Sequence, residues 1–171
     1  MTLILGAAEV SPFAAARWVE TGVKRRYGLR RSAWSDSILL RMVAAYYEIG
    51  AREGVRPEVG LAQSAKETGY WTFGGDVRPD QWNFAGIGAT GGGKPGHSWP
   101  TLEDGVEGHL RRLRLYADDT APYDLSVLLR GLPVRYWGSA PNVEDLGGKW
   151  AKNPDYGGSI VRSYLTLLLS S

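Results

Sequence analysis

The sequence predicts one mainly α-helical domain, α+β in detail, with a helical core and a small glycine-rich lobe of loops and short strands. Three observations predict it. Segments opening at Ser11, Ser35, Pro57, Thr101 and Asn153 carry apolar residues at helical spacing and begin on residues that cap or start helices. From Gly69 to Pro100 no periodicity of either kind persists, and glycine recurs at 69, 74, 75, 86, 88, 91, 92, 93 and 96. The 171 residues suffice for one sizeable core, are short for two, and contain no linker-like stretch. A single domain is expected, with N-terminal helices over 1–54 and the main core over 55–165.

In chain order, Ser11-Pro12 reads as an N-cap followed by proline at the first helical position. That helix runs through Phe13, Ala16, Trp18 and Val19 and is expected to stop near Gly22. Lys24, Arg25, Arg26, Arg30 and Arg31 around Tyr27 read as a solvated connection. Ser35 or Asp36 caps a stronger helix whose apolar face is Ile38, Leu39, Met42, Val43, Tyr46 and Ile49, ending at Gly50 or Gly54. A short turn around Glu53–Pro57 leads to a helix from about Pro57 to Lys66, with Thr68-Gly69 as its stop.

The glycine-rich stretch holds Trp71, Phe73, Trp82, Phe84, Ile87 and Trp99, which argue against disorder. Thr101 and Asp104 form a capping-box variant opening a helix through Val106, Leu110, Leu113 and Tyr116. Its other side carries Arg111, Arg112 and Arg114, read as a solvated face. The region of Pro122, Pro133 and Pro141 is irregular, with one helical turn at Leu125–Leu129. Asn142 caps a short helix holding Val143, Leu146 and Trp150. Asn153-Pro154 opens the last helix, Asp155 to about Leu169, with Tyr156, Ile160, Tyr164, Leu167 and Leu168 at helical spacing.

Composition excludes several chemistries. Without cysteine there are no disulfides, thiolate metal sites or cysteine nucleophiles. His97 and His109 have no carboxylate at ligand spacing, so no metal centre is expected. Gly86-Ile87-Gly88-Ala89-Thr90-Gly91 lacks the preceding strand and following helix of a dinucleotide site, and Gly91-Gly92-Gly93-Lys94-Pro95 lacks the hydroxyl of a phosphate-binding loop. No cofactor is therefore expected. A net charge of +2 is too weak for a nucleic-acid partner. No stretch approaches a membrane span, and Met1–Glu9 lacks the basic start and apolar length of a secretory signal.

Chemistry concentrates at Glu67. In the last turn of its helix the macrodipole disfavours a carboxylate, and Tyr70, Trp71 and Phe73 beside it exclude water; both effects raise its pKa. A carboxyl protonated near neutral pH is what a general acid requires. These residues alone leave open a solvated helix-end glutamate.

Leu61-Ala62-Gln63-Ser64-Ala65-Lys66-Glu67-Thr68-Gly69, followed by Asn83-Phe84-Ala85-Gly86-Ile87-Gly88, resembles the catalytic core of bacterial and phage endo-β-N-acetylglucosaminidases of glycoside hydrolase family seventy-three. Those enzymes are similar in fold to lysozymes and lytic transglycosylases. The resemblance extends through Gly105-Val106 and Leu113-x-x-Tyr116-Ala117 to Tyr156, covering roughly Val55 to Tyr164. Trp150, Lys152 and Asn153 depart from the family pattern.

The resemblance implies a lysozyme-like fold that cuts the β-1,4 bond on the reducing side of N-acetylglucosamine in peptidoglycan, acting as a monomer on glycan strands. Such a chain would reach the wall by lysis, through a holin-like pore, on a phage particle or within a longer polypeptide. Glu67 matches the general acid, Tyr156 a tyrosine lining the site opposite it, and Asn83 an asparagine that orders the lobe. Gln63, one turn before Glu67, matches a position more structural than catalytic, and it stands among the substrate-binding candidates.

For the second carboxylate Asp76 ranks first and Asp80 second, Asp80 also being a binding candidate; Glu103 and Asp104 suit the first turn of a helix. The substrate's 2-acetamido group is an alternative nucleophile. Tyr70, Trp71, Trp82, Phe84 and Tyr156 are the aromatic binding candidates, as sugar platforms or as lobe packing. A muramidase or lytic transglycosylase, or a non-catalytic wall-binding or particle module, remains an alternative function.

Overall fold

The structure, a computed structural model, describes residues 1–27, 33–89, 91–121 and 132–171, with side chains from 25 to 27 excluded. Arg30, Arg31, the side chains of Arg25, Arg26 and Tyr27, Thr90 and the helical turn expected at Leu125–Leu129 lie outside the described residues. Among the described residues the fold is mainly helical, with α1 (Pro12–Tyr27), α2 (Asp36–Glu53), α3 (Pro57–Thr68) and α4 (Leu102–Ala117). The last helix, α5, joins an α-helical turn (Tyr156–Ile160), a π-helical turn (Val161–Leu165) and a final α-helical turn (Thr166–Leu169). None of these is long and apolar enough to cross a membrane.

Two helices end where their caps dictate. Ser35 Oγ accepts from the N–H of Ile38, and Gly54, in the left-handed region at φ 68°, closes α2. Thr101 and Asp104 exchange hydrogen bonds in a capping box at the start of α4. Leu39, Met42, Val43, Tyr46 and Ile49 are buried on α2, and Val106, Leu110, Leu113 and Tyr116 on α4. α3 seats Gly60 between them, where a Cβ would stand 2.7 Å from the Tyr46 ring and 2.8 Å from Leu110. Only a residue without a side chain lets α3 approach both helices this closely. The N-terminal segment adds a strap: Leu3 pairs with Asn142 and Leu5 with Val55, which buries Ile4 completely.

Several expectations change. Gly22 does not stop α1; the helix runs through it because a Cβ there would lie 2.3 Å from Tyr70, so this glycine serves close packing. In α5 the π turn, marked by the N–H of Thr166 bonding to Val161 O, slips the helical register. Leu165 and Leu168 therefore face the core, Tyr164 is half-buried, and Leu167 is 46% exposed.

Arg111, Arg112 and Arg114 are not a solvated face. Arg111 pairs with Glu53 and Glu107, Arg114 donates to the carbonyl of Glu53, and the guanidinium of Arg112 lies 5.6 Å from the Trp150 ring centroid. Arg111 and Arg114 tie α4 to the end of α2, and Arg112 ties it to Trp150. Asn142 caps only a 3₁₀ turn, Val143–Leu146, with Trp150 beyond it.

Within the lobe the described residues hold no regular strand, only a 3₁₀ turn (Pro79–Gln81) and one isolated bridge, Gly91 to Lys94. Aromatic packing orders it instead. Trp34, just before α2, lies 4.9 Å from Phe73 and 5.4 Å from both Trp82 and Phe84, ring centre to ring centre. Gly105 of α4 admits the lobe backbone, since a Cβ there would stand 2.0 Å from the carbonyl of Trp82.

Candidate active site

Glu67 is the penultimate residue of α3, and the turn after that helix shapes the site. Gly69, Tyr70 and Trp71 are all left-handed, at φ 60°, 54° and 58°. A left-handed non-glycine residue costs about 1–2 kcal/mol, so two aromatics there demand compensation. The indole Nε1 of Trp71 donates to Ser64 Oγ at 2.8 Å, its backbone N–H bonds Thr68 Oγ1 at 2.9 Å, and the ring is wholly buried. The N–H of Tyr70 closes on Ala65 O at 2.7 Å. This turn reverses the chain so that the lobe rises beside the end of α3.

Between them lies a groove of about 440 Å³, lined by Glu67, Thr68 and Gly69 on the helix side and by Thr72, Phe73, Asp76, Val77, Asn83, Gly86 and Ala89 of the lobe. Asn83 holds the lobe wall in shape. Its Nδ2 donates to the carbonyls of Ile87 and His97 at 2.9 and 3.1 Å, and its Oδ1 accepts from the N–H of Ile87 at 2.9 Å. Gly86 abuts the carboxylate: at φ +64°, a Cβ there would stand 3.5 Å from Glu67 Oε2.

Glu67 is exposed at the groove mouth, yet its carboxyl is crowded by the end of α3, by Tyr156 and by the lobe. That burial raises its pKa above the ordinary carboxyl value, more than the Tyr156 hydrogen bond and the charge of Lys66 lower it. The Tyr156 hydroxyl, from the first turn of α5, donates to Glu67 Oε1. Lys66 Nζ lies 5.6 Å from the centroid of the Tyr156 ring. The result is a carboxyl poised to hold a proton, with one oxygen anchored and the other toward the lobe.

A file of buried polar groups stands behind Tyr156. Gln63 Nε2 donates to the Tyr156 oxygen at 2.9 Å, Gln63 Oε1 meets His109 Nε2 at 2.9 Å, and His109 Nδ1 meets the Tyr46 hydroxyl at 2.8 Å. Motif reading does not single out His109 as a site residue. A signal for it exists all the same: it shares the buried side of α4 with Val106 and Leu113, a polar residue at a core position. Burial, with the nearby charge of Arg112, pushes its pKa down to about 3, so the ring is neutral and both nitrogens are engaged inside the protein. Among the described residues no group of three or more His, Cys, Asp or Glu side chains could hold a metal ion.

The other predicted site residues divide. Asp76 lines the groove opposite Glu67, its Oδ1 accepting from the N–H of Gly93 at 3.0 Å. Asp80 does not; it is exposed and pairs with Arg78 at 3.1 Å. Gln63, Trp71 and Phe84 do not fit a substrate-binding role, because at 0%, 0% and 1% exposure they have no surface for a sugar. Trp82 is half-buried and faces Trp34, which makes it lobe packing. Tyr70 is 8% exposed, stacks on Tyr164 at 5.4 Å, and borders a separate cavity with Arg17, Trp18 and Leu167. Glu103 is held by Arg41 and Asp104 by the Thr101 cap, as first-turn residues.

Residues 43–168 match the family model described as mannosyl-glycoprotein endo-beta-N-acetylglucosaminidase. The chain belongs to this glucosaminidase family. The protein is thus a glycoside hydrolase of glucosaminidase type, and the match spans α3, the lobe, α4 and nearly all of α5. An uncharacterized protein of Borreliella burgdorferi is 34% identical over 144 residues, covering 84% of this chain and 70% of the relative. No solved structure matches the chain.

Proposed function

We propose that this glucosaminidase cleaves the β-1,4 bond between N-acetylglucosamine and N-acetylmuramic acid in peptidoglycan, leaving N-acetylglucosamine at the new reducing end, with Glu67 as the general acid. One observation carries the reading. A carboxyl of raised pKa, hydrogen-bonded by Tyr156, lines an open groove in a chain of glucosaminidase type.

The protonated Glu67 transfers its proton to the glycosidic oxygen as the C1–O bond breaks, so the leaving sugar departs as a neutral alcohol. Positive charge grows at C1 of the N-acetylglucosamine unit. Asp76, on the lobe wall of the same groove, is the second carboxylate of this reading: it takes a proton from the water that attacks C1. The substrate's own 2-acetamido oxygen is the alternative, bonding to C1 first and being displaced by water afterwards. Tyr156 keeps Oε1 of Glu67 in place throughout.

Mass spectrometry of the fragments released from purified peptidoglycan tests the bond. N-acetylglucosamine at the reducing ends is expected. Reducing N-acetylmuramic acid would make the protein a muramidase, and anhydro sugars a lytic transglycosylase.

A further inference from the structure

The file Tyr46–His109–Gln63–Tyr156–Glu67 has a direction, and each link constrains the next. Tyr46, His109 and Gln63 are wholly buried and Tyr156 is 5% exposed, so no solvent substitutes for a missing partner. Neutral His109 has a single ring proton. Gln63 Oε1, facing His109 Nε2 at 2.9 Å, only accepts, so that proton sits on Nε2. Nδ1 is then bare and accepts from the Tyr46 hydroxyl at 2.8 Å. With its oxygen committed, Gln63 turns its amide N–H to the Tyr156 oxygen at 2.9 Å, and Tyr156 gives its only proton to Glu67 Oε1.

Reversing any link reverses those after it. If His109 carried its proton on Nδ1, its bare Nε2 would call for the Gln63 amide N–H. Gln63 would then rotate its oxygen toward Tyr156, and Tyr156 would donate to Gln63 instead of Glu67. In the observed direction Oε1 accepts whether Glu67 is ionised or protonated, which leaves Oε2, beside Gly86, as the oxygen that carries the acid proton.

We propose that Tyr46, His109 and Gln63 are positioning residues: their hydrogen bonds set the direction of the file and so place the acid proton of Glu67 on Oε2. The catalytic meaning rests on the reading of Glu67 as general acid; the hydrogen-bond direction does not.

The test is therefore read without turnover, by NMR titration of the Glu67 side-chain carboxyl in carbon-labelled protein, assigned with Glu67→Gln. The charged and titratable groups facing Glu67 are Lys66 from α3, Tyr156 from α5, and Asp76 across the groove on the lobe; all are kept in the positioning variants. Tyr46→Phe removes one oxygen from an otherwise intact ring, and His109→Phe removes both nitrogens. Each releases the direction of Gln63, weakens the Tyr156 bond to the carboxylate, and is expected to raise the Glu67 pKa by about half a unit or more. His109→Gln, which sets an amide N–H where Nε2–H stands, is expected to return it toward the native value. Tyr156→Phe marks the full loss of the bond.

Folded Tyr46→Phe and His109→Phe proteins that titrate like the native one, while Tyr156→Phe shifts, would overturn the proposal. A native protein that titrates as expected but cleaves no glycan would overturn the functional reading alone.

Discussion

The Tyr156 hydroxyl donates to Oε1 of Glu67 across 89 residues of sequence, joining the first turn of α5 to the last turn of α3. The bond favours the carboxylate and so partly offsets the burial that raises the pKa. Activity that depends on protonated Glu67 is present below its pKa and lost as pH rises through it. Tyr156→Phe raises that pKa, so the alkaline limb of the kcat/KM profile is expected to move up by about 1–2 units. A limb that stays in place or moves down contradicts the role of this bond.

Gly86→Ala tests the close wall of the groove. Its φ of +64° strains any L side chain, and the new Cβ would stand 3.5 Å from Glu67 Oε2. Urea unfolding is expected to show a loss of about 1 kcal/mol, and kcat/KM to fall about 10- to 100-fold, because small displacements at a reacting centre weigh heavily. Gly148→Ala, strained alike at φ +73° but with nothing within 4 Å of the added atom and outside the groove, is the control: it should lose stability and keep kcat/KM.

His109 links stability to pH. Its folded pKa, about 3, lies below the unfolded value of about 6.5, so below that pH the unfolded chain binds a proton that the folded protein does not. Its contribution therefore destabilises the fold as pH falls from about 6.5 toward 3, by about 1.4 kcal/mol per unit. Urea unfolding of native protein and His109→Gln at several pH values isolates it. The variant should lose stability less steeply with acid; parallel slopes would mean that His109 is protonated in the fold.

The two lobe aspartates should separate. Asp76→Asn keeps an Oδ1 acceptor for the Gly93 N–H but cannot take a proton, and kcat is expected to fall about 100-fold. Asp80→Asn, exposed and paired with Arg78, should stay within about twofold of native, as surface changes remote from a site do. Unchanged kcat in Asp76→Asn would assign the second role to the substrate's acetamido group.

The features legible in the sequence are local ones. Ser35, Gly54, Thr101 and Asp104 mark helix ends through contacts with backbone three or four residues away, and those ends stand where expected. Glu67 at the end of α3 is legible for the same reason. Features that depend on distant partners are not. Gly22 reads as a helix stop until Tyr70 is seen against it. The π turn of α5 leaves no mark in a helical pattern; it puts Leu165 beside the expected Leu168 in the core in place of Tyr164 and Leu167. Trp71 stands four residues past Glu67 and reads as a groove aromatic, but the left-handed turn carries it into the core. His109 gains its meaning only from Gln63 and Tyr46, on two other helices.

The most direct measurement is the rate of peptidoglycan cleavage by Glu67→Gln, which keeps the size and hydrogen-bonding capacity of the side chain but has no acidic proton. Wall binding and thermal unfolding should stay native while the rate falls by about 10²- to 10⁴-fold. A folded, wall-binding Glu67→Gln protein that retained more than about a tenth of the native rate would contradict the assignment of Glu67 as the general acid.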